Sequence, residues 1–279
     1  RIPGSGYVVC NSFNEAKNVI SFCLKNLYKP VVMENYIPGR LLSFQVVTDG
    51  YDAVPLPAVY VYKKSDDGNF GANTDGMGAY SPLSYVNEEM QAKIAEKIFF
   101  PIIDGLNAEK MGYAGFLRAT IVIDERNNPQ LLGINVVSGD CELQTTLPLL
   151  EDDIFDVMMF TANGALADSY ETFNIREDYS VCVSFVSEGY PKEYKKGFVI
   201  EGLDEIVDEN TLIYHACTKK NVYNEILTDG GKVLSVVSTA ATLGRAKELA
   251  YETADLITFE GMKYRKDIAG EKVACKMDI

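Results

Sequence analysis

Residues 66–82 read Asp66-Asp67-Gly68-Asn69-Phe70-Gly71-Ala72-Asn73-Thr74-Asp75-Gly76-Met77-Gly78-Ala79-Tyr80-Ser81-Pro82. Four glycines stand in this segment, which follows a strand-like run ending in Lys63-Lys64. Glycines so closely spaced let a backbone turn sharply and bring its N–H groups against a ligand, a freedom that a loop in an apolar core does not need. A plain surface loop is the simpler reading. Long loops without secondary structure of their own are mostly functional or disordered, however, and the apolar punctuation by Phe70, Met77 and Tyr80 argues against disorder. The segment is therefore expected to be an irregular loop that meets a ligand.

Outward from this loop, hydrophobic spacing predicts the neighbouring elements. Ser12 to Asn26 reads as a helix, with Ser12 and Glu15 as a capping box and Ala16, Val19, Ile20 and Cys23 at helical spacing. Val31 to Tyr36 reads as a buried strand, followed by strands at Leu41 to Thr48 and Val59 to Lys63 and by a helix from Asn87 to Ile98. Gly115 to Ile123 and Gln130 to Val136 form a hairpin across the polar turn Asp124-Glu125-Arg126-Asn127-Asn128. A helix is expected over Ile154 to Asn163. Strands at Val181 to Ser187, Leu212 to Cys217 and Lys232 to Ser238 then precede a helix from Thr242 to Thr253. The polar stretch Ser169 to Asp178 is the expected domain boundary.

With 279 residues, 47% hydrophobic and 24% charged, the chain is long enough for about two domains with real cores. A formal net charge of -14 disfavours nucleic acid or an anionic membrane as partner, because the overall field repels phosphates. The six cysteines lie far apart with no Cys-x-x-Cys pair, which argues for reduced thiols in a cytoplasm rather than a zinc site. No apolar run of about 18 residues and no basic-then-apolar leader occurs, so membrane spanning and secretion are both disfavoured.

The 66–82 segment resembles the substrate loop of phosphoribosylamine–glycine ligases, also called glycinamide ribonucleotide synthetases, whose pattern runs Asp-Gly-Asp-x-Gly-Pro-Asn-Thr-Gly-Gly-Met-Gly-Ala-Tyr-Ser-Pro. Leu147-Pro148-Leu149-Leu150, Gly189-Tyr190-Pro191, Tyr194-Lys195-Lys196-Gly197, Gly230-Gly231-Lys232-Val233-Leu234 and Tyr264-Arg265-Lys266-Asp267-Ile268 follow in the family's order, so the resemblance covers nearly the whole chain. It implies an α+β chain with an ATP-grasp fold. Residues 1–38 are then a remnant of the small subdomain, 39–172 the large subdomain, and 173–279 a small C-terminal α+β domain. It also implies ATP and magnesium as cofactors, and glycine and phosphoribosylamine as substrates joined through an acyl phosphate. The family's N-terminal domain and lysine-bearing strand lie upstream of the turn at Gly4-Ser5-Gly6, so a homo-oligomer or a partner supplying that part is expected.

The resemblance also assigns residues. Gly4, Ser5 and Gly6 fall on the phosphate turn, and Glu34, Asn35, Tyr36 and Ile37 on the adenine hinge. Lys63, Lys64, Asn73, Thr74, Gly76, Met77, Gly78, Asp140, Glu142 and His215 fall on substrate positions, with a lining or structural role for His215 rather than that of a general base. Asn135 is the metal ligand that remains of Glu-Phe-Asn-x-Arg-Phe-Gly-Asp-Pro-Glu-Thr-Gln, and the hairpin that carries it is expected to floor the nucleotide cleft. Here Gly133 stands where the family has that glutamate, Val137 where it has arginine and Cys141 where it has proline. Ser5 replaces a lysine, Arg40 and Leu41 replace two acids, and Asp75 replaces a glycine. Magnesium is bound through carboxylates plus phosphates, so these departures predict weakened handling of ATP and metal. Two functions follow: a purine-pathway ligase, or a catalytically inactive ATP-grasp relative that acts as a binding or interaction module.

Overall fold

A computed structural model describes residues 8–27, 31–206 and 208–270, and two antiparallel sheets carry most of its core. The strands of the first half are β1 (Gly39–Thr48), β2 (Ala53–Pro55), β3 (Tyr60–Val61), β4 (Lys64–Asp66), β5 (Phe70–Asn73), β6 (Gly78–Ser81), β7 (Gly115–Asp124) and β8 (Pro129–Asn135). Those of the second half are β9 (Tyr179–Ser187), β10 (Thr211–His215), β11 (Thr218–Lys220), β12 (Ile226–Thr228), β13 (Lys232–Ala240) and β14 (Met262–Lys263). The helices are α1 (Phe13–Phe22), α2 (Glu88–Ile94), α3 (Phe100–Ala108), α4 (Glu142–Thr146), α5 (Ile154–Ala162), α6 (Leu166–Ser169) and α7 (Leu243–Ala254).

The smaller sheet has the order β2-β1-β7-β8. Alternation along β1 and β7 sends Leu42, Phe44, Val46, Leu117, Ala119, Ile121 and Ile123 into the main core, where they join Met90, Ile94, Ile98, Phe99 and Ile103. Asn87 caps α2 by accepting from the Met90 N–H at 3.0 Å. The helical path runs on beyond the expected end at Ile98, because a wide turn at Ala95–Phe99 carries it past Pro101 into α3. Such a turn absorbs the N–H that proline lacks.

The larger sheet runs β10-β13-β9-β6-β3, with β14 also paired to β9. α7 covers one face through Ala246, Ala250 and Ala254, all fully buried. Here the glycine-rich segment departs from expectation: it is not irregular throughout. β4 and β5 pair as a small hairpin, and β6 enters the larger sheet with Gly78 opposite Val183. Gly78 permits this, since a Cβ there would lie 2.5 Å from the Cys182 carbonyl oxygen. The strand expected at Val31 to Tyr36 is absent, and Val32 and Met33 are largely exposed. Apolar spacing gives a segment strand character but cannot supply the neighbour whose hydrogen bonds make it a strand. Of Val59 to Lys63, only Tyr60–Val61 is strand. α1 starts as expected: Ser12 Oγ accepts from the Glu15 N–H at 3.2 Å, although the Glu15 carboxylate accepts from Asn11 N rather than from Ser12.

The turn after β1 is held by Asp49, whose carboxylate accepts from the N–H groups of Tyr51, Asp52 and Leu166, each at 3.0 Å. Burial pushes this carboxyl up, but the N–H groups of Asp52, Tyr51 and Leu166 outweigh it and hold it below the usual range. A depressed carboxyl stabilises the fold fully above its unfolded value, and that contribution fades as pH falls through the native value. Asp49→Ala is therefore expected to lower stability by about 3 kcal/mol near neutrality, with the gap to wild type narrowing toward about pH 3. Urea melts at the two pH values check this, and an unchanged gap contradicts it.

Candidate functional site

The face of the smaller sheet turned away from the main core is polar in its middle. Antiparallel register sets Ser43 opposite Thr120 and Thr120 opposite Gly133, while Gln45 lies opposite Arg118 and Arg118 opposite Asn135. Cross-strand partners share a face, so these six positions form two adjacent rows. Glu142, at the start of α4, inserts into them and is fully buried. Its Oε1 accepts from Ser43 Oγ at 3.1 Å and from the Arg118 guanidinium. Ser138 donates to Gln45 Oε1. Three buried polar atoms of this floor, Glu142 Oε2, Arg118 Nε and Gln45 Nε2, have no hydrogen-bond partner among the described residues. Two donors and one acceptor suit a water or a polar ligand group better than a bare cation.

The glycine-rich segment roofs this floor. Thr74 is buried, and both its N–H and its Oγ1 donate to the Lys63 carbonyl, at 2.7 and 2.8 Å; Gly76 N–H donates back to Thr74 Oγ1 at 3.1 Å. Gly76, at φ +132, has the backbone that side chains resist, and a Cβ there would meet Cys141 Sγ at 3.1 Å and the Asp140 carbonyl at 3.2 Å. Lys63 lines a small cavity with Ser43, Tyr60 and Thr120. Burial depresses its ammonium, and the charge of Glu142 partly offsets that. No ion pair engages Lys63 among the described residues.

Arg265, itself buried, locks the β4–β5 hairpin from the C-terminal side. Its guanidinium holds both Asp267 oxygens, at 2.7 and 2.6 Å, and donates to the Lys64 carbonyl and Asn69 Oδ1, each at 3.0 Å. It also lies 5.0 Å from the Tyr62 ring centre. Asp267 accepts in turn from the Gly68 N–H at 2.8 Å, and Lys263 pairs with Asp66. At the other end of the roof Asp140 receives the buried Lys232 ammonium at 3.0 Å and the Gln144 amide.

The expected site residues fall into four sets. Thr74, Gly76, Met77, Gly78, Lys63, Asp140, Glu142 and Asn135 come together around this floor and roof, with Lys64 and Asn73 paired on the hairpin beside them. Glu34, Asn35 and Tyr36 are exposed and Ile37 half-buried on a stretch without regular structure. His215 stands exposed on the outer strand β10, where Nδ1 meets Thr218 Oγ1 at 2.9 Å. Gly4, Ser5 and Gly6 lie outside the described residues. Ser43, Gln45, Arg118 and Lys232 were missed as site residues. The polar alternation in Leu41 to Thr48 signalled the first two, but nothing local marks a strand arginine or lysine as facing a site.

Among the described residues, the donors on this floor do not fit a magnesium ion. Gly133 contributes no side chain, although a Cβ there would meet open space. Asn135 offers a neutral amide, and the two nearby carboxylates are committed to Arg118 and Lys232. Magnesium sites rest on one or two available carboxylates plus phosphate oxygens.

Comparison with known proteins gives a consistent picture. Residues 2–143 match the family described as Phosphoribosylglycinamide synthetase, ATP-grasp (A) domain, and residues 180–271 match Phosphoribosylglycinamide synthetase, C domain. The phosphoribosylamine–glycine ligase of Yersinia pestis is 31% identical over 276 residues, 97% of this chain and 64% of that protein. The chain thus spans a little under two thirds of the length of such relatives. The crystal structure of the phosphoribosylamine–glycine ligase from Thermotoga maritima superposes with a TM-score of 0.83 at 30% identity, covering 95% of this chain and 66% of that one. Biotin carboxylase from Campylobacter jejuni, solved as a β,γ-ATP complex, shares the fold at a TM-score of 0.66 and 17% identity, over 93% of this chain and 57% of its own. Among the described residues no helix is long and apolar enough to cross a membrane.

Proposed function

This chain belongs to the phosphoribosylamine–glycine ligase family, an ATP-grasp family that uses ATP and magnesium, and from that premise we propose that it keeps the family's substrate pocket while handling triphosphate and metal poorly. The observation that carries this reading is the commitment of charge around the floor. Glu142 and Asp140 are neutralised within the protein by Arg118 and Lys232, and Gly133 leaves the metal row without a carboxylate of its own. The substrate side is better supported. Lys63 is a half-buried cation without an ion-pair partner among the described residues, suited to the carboxylate of glycine or the phosphate of phosphoribosylamine, and the bonded turn at Thr74–Gly76 holds the loop above it. Within that pocket Lys63 and the turn at Thr74–Gly76 would orient the bound carboxylate or phosphate.

Calorimetric titration tests the reading. ATP with magnesium is expected to bind more weakly than about 1 mM, where binding amounts to only about 4 kcal/mol. Gly133→Glu, although its side chain has room, is expected not to restore formation of glycinamide ribonucleotide, because Val137 and Ser5 remain altered. An active ligase is the second reading, favoured by the retained Asn73-Thr74 and Gly76-Met77-Gly78 of the loop. Tight, magnesium-dependent ATP binding with product formation by the unmodified protein would establish it instead.

A further inference from the structure

Cys141 stands where the family motif has proline, and it does what a proline cannot. Its φ of +89 lies far from the value that a pyrrolidine ring imposes, and its N–H donates to Gln144 Oε1 at 2.8 Å. The change places a thiol under the roof of the site. Cys141 Sγ lies 3.3 Å from Lys232 Nζ and 3.1 Å from Ser184 Oγ, and it donates to the Gly76 carbonyl at 3.5 Å. Cys182 lies on the same face of β9 as Ser184, two residues away, and packs with Cys141, Val61, Ala79 and Val237 in one buried cluster. The two cysteines thus share one buried cluster, and Ser184 and Ser235, 3.0 Å apart, complete its polar lining.

From this geometry we infer that Cys141 and Cys182 are a redox-active dithiol, which a small hydroperoxide closes to a disulfide beneath the glycine-rich roof. The Lys232 ammonium, 3.3 Å away, gives the sulfur of Cys141 a fixed counter-charge. Interaction with Cys182 and the charge of Lys232 hold the Cys141 thiol below its ordinary range against burial and the nearby Asp140 charge, which raise it, while Cys182, beside Cys141 and buried, is pushed well above. The roles divide accordingly. The Cys141 thiolate attacks one peroxide oxygen; the O–O bond breaks, Cys141 becomes a sulfenic acid, and the departing hydroxide takes a proton from Lys232 to leave as water. Cys182 sulfur then attacks the sulfenic sulfur; the S–S bond forms, the S–O bond breaks, and hydroxide leaves with the Cys182 proton as a second water. The two sulfurs together lose two electrons, the peroxide gains them, and Lys232 regains its proton from solvent. Both cysteines are fully buried, so closure is expected to proceed through local opening of the protein.

The test uses the full chain with Cys10, Cys23, Cys217 and Cys275 replaced by alanine, treated with hydrogen peroxide, unfolded in the presence of iodoacetamide and weighed intact. The expected product has lost two hydrogens, takes no alkyl group, and regains two alkylation sites after dithiothreitol; a peptide digest joins the Cys141 and Cys182 fragments. Lys232→Met is expected to slow closure about tenfold at neutral pH, since without the cation the thiolate fraction returns toward that of an ordinary thiol. It should also move the pH midpoint of the rate upward, a shift that a packing defect would not produce, while Lys232→Arg retains the rate. Oxygen added to Cys141 with Cys182 still alkylatable, no reaction with the folded protein, or an unchanged pH midpoint in Lys232→Met overturns the inference. The readout is mass, so it stands apart from whether the chain is a ligase.

Discussion

Arg118→Met is expected to lower the melting temperature by about 10 °C, while Arg118→Met combined with Glu142→Gln recovers most of that loss. The physical reason is the burial of Glu142, whose carboxylate has the Arg118 guanidinium and Ser43 Oγ as its bonded partners within the sheet. Removing one member of a buried ion pair leaves an uncompensated charge and costs about 3–5 kcal/mol, whereas replacing both members is far closer to neutral. For a domain of this size each kcal/mol moves the midpoint by about 2–4 °C. Calorimetric melts of the two single variants and the double variant form a cycle. Additive losses would show that the pair is not coupled and that Glu142 is stabilised by something else. Val137, where the family motif has arginine, is largely exposed, so in this chain the buried carboxylate depends on a cation from the neighbouring strand.

Arg265→Met is the second large effect expected, at about 3 kcal/mol or more, with Arg265→Lys recovering little of it. Arginine here ties its own segment to the hairpin through three acceptor groups: both oxygens of Asp267, the Lys64 carbonyl on β4, and Asn69 at the hairpin tip. A lysine has the charge but not the planar fork, so it cannot serve these acceptors together. The loss should be local as well as global. Amide hydrogen exchange within 64–73 is expected to speed up more than exchange in β9 or β13, because the hairpin's ties to the C-terminal segment converge on residues 263–267 around this arginine. Uniform acceleration across the sheets, or a lysine variant as stable as wild type, would contradict the clamp.

Much of the scaffold was legible from residue order. β1, β7, β8, β9, β13, α5 and α7 fall within a residue or two of the segments predicted from apolar alternation and capping residues, because those signals are local and the physics that reads them is local too. The glycine-rich segment marked the roof of the site for the same reason: closely spaced glycines constrain their own backbone. The misses share one cause. Val31 to Tyr36 looked like a strand and found no partner, and residues 66–82 looked like an irregular loop but carry the end of β4, all of β5, and β6 in the larger sheet. Pairing is decided by what lies beside a strand, and no local pattern contains that.

The amino-acid order by itself determined the family, the α+β fold class and the motif positions at which Gly133, Val137 and Cys141 replace the usual residues. Those are properties of single positions, readable one by one. Only the tertiary structure decided that Arg118 neutralises Glu142, that Lys232 reaches both Asp140 and Cys141, and that Arg265 closes the hairpin. Each of these contacts joins residues 24 or more positions apart in the chain, from Arg118 with Glu142 to Arg265 with Lys64. A charge's meaning depends on the dielectric and the partner around it, and both are set by folding.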